Sequence, residues 1–71
     1  MMKNIVNEET IRRLQKDGEY RFPGLTREQT KKAASTLATE TMAADRRYGI
    51  KSNFGIARDA FGYYYAVQIN G

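Results

Sequence analysis

Eight carboxylates, twelve Lys/Arg side chains and a scatter of hydroxyls are what this 71-residue chain offers for chemistry, because it contains neither histidine nor cysteine. That composition removes the usual general base near neutral pH, the usual thiolate nucleophile and the usual zinc, copper and haem ligands. Asp45 is the carboxylate placed best for acid–base work, since it falls near the inner edge of a helix about one turn from Thr41 and Tyr48. A hydrogen bond from a tyrosine hydroxyl or from Arg21 is the expected fate of that group. Glu8 and Glu9 sit where a helix start favours negative charge and need no catalytic explanation. No glycine-rich phosphate loop and no metal-type carboxylate spacing occurs. The expectation is a protein that is not an enzyme and uses no cofactor or metal.

Binding is the remaining class of function, and the residues suited to it are basic and aromatic. The net charge is +4, yet no basic run exceeds two residues. Arg12-Arg13, Lys31-Lys32 and Arg46-Arg47 are the basic pairs, and Glu28 and Glu40 interrupt the patch they could form. A solvated helix face is the expectation for them, with phosphate contact as the rival reading. Phe61 sits at a turn between Asp59 and Gly62, either exposed as an interface anchor or folded back over Phe54 or Tyr63.

The elements that must position these residues follow from caps and periodicity. Asn7 is a natural N-cap and Gly18 a natural stop for a short first helix whose buried anchors are Ile11 and Leu14. Glu19-Tyr20-Arg21-Phe22 alternates as a half-buried strand ended by Pro23. Thr26 and Gln29 form a capping-box pattern, and Gly49 marks the end of a main helix over 27–48. A step of about 100° per residue puts Ala34, Leu37, Ala38, Thr41, Ala44 and Tyr48 on its inner face. Glu28, Lys32, Thr39, Arg46 and Arg47 fall on the outer one.

The C-terminal stretch reads as a hairpin around a type I turn at Asp59-Ala60-Phe61-Gly62. The expected inward set is Phe54, Ile56, Tyr63, Tyr65 and Val67, leaving Arg21, Lys51, Asn53, Tyr64 and Gln68 on the open side. The last strand is the most apolar and belongs at the centre of the sheet. The architecture predicted is α+β: an N-terminal helical arm (1–18), then a strand-helix-hairpin core (19–71). Its three strands make a split β-α-β sheet of antiparallel type, with the main helix packed on one face. The open face is expected either to be covered by the first helix or to serve as a protein-contact or base-stacking surface.

A single domain of this size buries only about 60% of its unfolded surface, so self-association as a homodimer is allowed. Met1–Asn7 lacks an apolar signal segment and no stretch is long enough to span a membrane, which makes the cytoplasm the expected location. In size and in strand-helix-hairpin order the chain resembles the small inhibitors encoded by phages and mobile elements, anti-CRISPR proteins among them. No motif carries that resemblance, so it assigns no residue a role. The function expected is occlusion of a site on a larger protein or ribonucleoprotein partner, such as a host nucleic-acid-handling or defence complex. Arg21, Arg46, Arg47, Lys51, Phe61 and Tyr64 are the candidate contacts. A small basic nucleic-acid-binding regulator, using the basic helix face or the open sheet face, is the alternative.

Overall fold

Asn7 caps the first helix through a reciprocal pair of hydrogen bonds. Its side-chain oxygen accepts from the Thr10 amide at 3.0 Å, and Thr10 Oγ1 accepts from the Asn7 amide at 2.9 Å. In the computed structural model, which describes residues 5–69, this helix (α1) runs Glu8–Asp17. Residues 1–4, on which part of the N-terminal reading rests, lie outside the described residues. Gly18 ends α1 in the left-handed region (φ 81°), a conformation glycine adopts without Cβ strain, and its amide donates to Leu14 O.

The strand β1 (Glu19–Arg21) follows at once, then the long helix α2 (Arg27–Arg47), β2 (Phe54–Arg58) and β3 (Tyr64–Gln68). Thr26 and Gln29 close the α2 capping box as the pattern requires, at 3.2 and 3.0 Å. β3 lies at the centre of an antiparallel sheet of order β1-β3-β2, so the fold is the α+β, split β-α-β arrangement that the element order predicts. Leu14, Phe22, Ala33, Ala34, Leu37, Ala38, Phe54 and Ala66 form one buried cluster. Burying side chains of Leu or Phe size is worth about 1.5–3 kcal/mol each relative to exposure. α1 contributes fully buried Leu14 to that cluster and touches α2 and β1, so it lies on the same sheet face as α2. It does not cover the open face.

The face that β3 turns to the helices is the opposite of the expected one. Tyr20, Ala66 and Ile56 are in register across the three strands, and Ala66 is fully buried while Tyr20 and Tyr64 pack against the core. Tyr63, Tyr65 and Val67 therefore fall on the outer face. The cause is one residue at the hairpin. The type I turn is present, with the Gly62 amide donating to Asp59 O at 3.1 Å, but the strands close one residue later, where the Asp59 amide donates to Tyr63 O at 2.9 Å. Gly62, at φ 92°, supplies the left-handed residue of this bulged turn. A one-residue shift of register exchanges the faces of every side chain on the strand. The small inner face of α2 then rests on Ala66, and the Tyr64 amide reaches Thr30 Oγ1 at 3.0 Å.

Candidate functional site

The two ends of the sheet gather the residues that sequence reasoning singles out. At the hairpin end, Asp59 organises the turn: Oδ1 accepts from the amides of Phe61 and Tyr63, each at 2.9 Å, and Oδ2 accepts from Arg21 Nη1 at 3.3 Å. Arg27, the first residue of α2, donates from Nε to Phe61 O at 2.6 Å and lays its guanidinium 5.0 Å from the Tyr63 ring centroid. The amide bonds to Asp59, from Tyr63 before Phe61, together with the Arg21 charge, hold its carboxyl below the usual carboxylate pKa. With its backbone fixed from both sides, Phe61 presents its ring to solvent at 75% exposure. It is exposed and does not fold back as a lid.

The other end is built by the C-terminus of α2. Tyr48 caps the helix, the Gly49 amide (φ 74°) donates to Arg46 O at 3.0 Å and the Ile50 amide donates to Asp45 O at 2.9 Å. These are the two bonds of a Schellman motif, which satisfies the last helical carbonyls with backbone alone. Arg46, Arg47, Tyr48, Gly49, Ile50 and Lys51 are consequently all exposed. Tyr48 is 83% exposed and not part of the inner face, because it is the C-cap beyond the last helical residue, Arg47, and no longer follows the helical stripe that buries Asp45. Among the described residues no ion pair engages Arg46, Arg47 or Lys51. Arg46 and Arg47 also complement the negative end of the helix dipole.

The remaining candidates separate from these two groups. Arg21 is on the open face as expected, but it is committed internally, stacked 4.1 Å from the Tyr65 centroid and paired with Asp59. Tyr64 is not on the open face. It is half-buried beneath α2, with Lys31 Nζ 5.8 Å from its ring centroid, so the open-face placement on which its choice as a contact rested does not hold. Lys51 and Asn53 precede β2 and stand in the connection from α2 rather than on the sheet. Gln68 falls on the helix-facing side, at the end of β3. Asp45 is buried, and its partner is Gln15, whose Nε2 donates at 2.6 Å, not a tyrosine hydroxyl or Arg21.

Sequence reasoning missed Tyr48, Ile50 and Tyr63 as surface groups. The signal for the first two was present: Gly49 fixes the helix end, so residues beside it leave the inner stripe. Among the described residues there is no group of three or more acidic side chains that could hold a metal ion, and no helix is long and apolar enough to cross a membrane. Comparison with protein-family models, with curated proteins and with solved structures finds no match for this chain.

Proposed function

We propose that the protein acts by binding, as a small α+β domain whose hairpin end occludes a site on a larger protein or ribonucleoprotein partner without a catalytic step of its own. Phe61 carries the reading. An aromatic ring left 75% exposed has no role in the core, and the chain surrounds it with bonds that fix its backbone. With the backbone beneath it already fixed, such a ring gives up only its own rotamer freedom on entering a partner's pocket, and complete burial of a Phe side chain is worth about 2–3 kcal/mol. Tyr63, 38% exposed and stacked with Arg27, extends the contact beside it. Aromatic and arginine side chains held in this way are the usual centres of protein interfaces.

A tagged pull-down from a bacterial lysate, with nuclease present, tests the reading against Phe61→Ala and Tyr48→Ala. One stoichiometric protein partner retained by wild type and by Tyr48→Ala, and lost with Phe61→Ala, is the expected result. Capture that is indifferent to Phe61, or the absence of any stoichiometric protein partner, overturns it.

A further inference from the structure

The second end of the molecule calls for a different partner. Between Arg46 and Lys51 the chain exposes three cations, an aromatic ring and an aliphatic side chain in six consecutive residues. We propose that this end is a single-stranded nucleic-acid contact, in which Arg46, Arg47 and Lys51 meet successive phosphates and Tyr48 stacks on a base.

Four observations carry this. First, the three cations have no ion-pair partner among the described residues, whereas Arg12, Arg13 and Arg21 each have one. Second, the backbone beneath them is closed by the Schellman bonds, so the side chains are not needed to cap the helix. Third, Tyr48 differs from the tyrosines of the open face. Tyr65 and Tyr63 already carry guanidiniums at 4.1 and 5.0 Å, while Tyr48 is 83% exposed and has no such stacking partner among the described residues. Fourth, the carboxylate on the last turn, Asp45, is buried and bonded to Gln15, so its side chain is turned inward and does not pair with the exposed cations. Cations that track a backbone beside a free aromatic ring are what sequence-tolerant single-strand binding needs. Duplex recognition would instead require side chains reaching into a groove from a longer element. The surface is separate from Phe61, so the two ends can be occupied at once.

The test is fluorescence anisotropy with a labelled 12-nucleotide oligo-dT and its ribose counterpart over a range of salt. Three phosphate contacts predict a log–log salt slope of about 2 for a single strand. Lys51→Glu, which lies outside the helix, should lower that slope by about 1 and weaken binding. Tyr48→Ala should weaken binding about tenfold, since stacking on one base is commonly worth that or more. Lys32→Glu, an equal change of net charge elsewhere on α2, and Phe61→Ala should leave affinity within about twofold. Melting temperatures of all four variants establish that the fold is retained. A slope below 1, equal weakening by Lys32→Glu and Lys51→Glu, or no effect of Tyr48→Ala overturns the proposal. Binding of poly-glutamate as tight as oligo-dT, with Tyr48→Ala without effect on either, assigns the end to an acidic protein surface instead.

Discussion

The hairpin end and the helix end of this protein solve the same backbone problem in opposite ways. At the hairpin, side chains serve the main chain: Asp59 takes two turn amides, and Arg27 donates to the Phe61 carbonyl. At the end of α2 the main chain satisfies itself through Gly49 and Ile50, and the side chains are left free. The first arrangement fixes the backbone that carries one exposed aromatic ring by using the charges around it. The second leaves three cations and Tyr48 facing solvent. The difference teaches that a side chain's availability to a partner depends on what the local backbone still lacks, and exposure alone does not measure it.

The contrast extends into the helix that joins the two ends. Thr30 and Thr41 both face the core of α2, at 1% and 0% exposure, about 16 Å apart along the axis. Thr30 donates to Arg27 O at 2.6 Å and accepts from the Tyr64 amide at 3.0 Å, which ties the hairpin to the helix start. Thr41 Oγ1 is buried without a partner among the described residues. Replacing each by isosteric valine should therefore have opposite signs. Thr30→Val strands the Tyr64 amide and should cost about 2 kcal/mol, while Thr41→Val removes a desolvated hydroxyl and should gain up to about 1 kcal/mol. Urea unfolding of the two variants reads both. Destabilisation by both to the same extent would break the distinction between the ends.

The glycines sharpen it further. Gly62 and Gly49 both hold positive φ, at 92° and 74°. An alanine Cβ at Gly49 meets nothing within 4 Å, but at Gly62 it meets Arg27 Cδ at 3.0 Å and Nε at 3.1 Å. Gly49→Ala should then cost about 1 kcal/mol, the penalty of left-handed backbone for an L-residue. Gly62→Ala adds displacement of Arg27 from the Phe61 carbonyl and should cost about 2 kcal/mol. Equal losses in thermal melts would show that the Arg27 bond contributes nothing to the turn.

Local signals made much of this legible from residues alone. Asn7, Gly18, Thr26 with Gln29, and Gly49 each act where their chemistry places them, because caps depend on a few neighbouring residues. The central place of β3 was legible from its apolar content. Its facing was not, because the choice between a plain four-residue turn and a bulged one turns on whether Tyr63 joins the strand pair or precedes it. Alternation carries no parity of its own across a hairpin. That single residue misplaced Tyr64 and Tyr65 together. Arg46 and Arg47 were legible as exposed from the helical period, and Phe61 was left open between exposed and folded back because the turn alone does not orient its ring, whereas the internal commitment of Arg21 depends on Asp59, 38 residues away.

The smallest effect expected is also the one most specific to the hairpin end. Asp59 has its pKa depressed in the folded protein, first by the Tyr63 amide and then by the Phe61 amide and Arg21. A depressed carboxylate stabilises the fold fully above its unfolded pKa, and that contribution is lost as pH falls through the lower, folded value. Wild type should therefore hold its melting temperature from neutral pH down to the usual carboxylate range and then lose it more steeply than Asp59→Asn. The asparagine keeps an oxygen for the Phe61 and Tyr63 amides and removes only the charge, so the gap between the two proteins should narrow on acidification. The side chain is partly open to solvent, and salt should shrink the gap as well, through the exposed Arg21 pair. A gap that stays constant from neutral pH to pH values below the carboxylate range would mean that the turn is held by its amide bonds alone. Arg21 would then be held by its stacking on Tyr65 alone, and the hairpin end would resemble the helix end more closely than its geometry suggests.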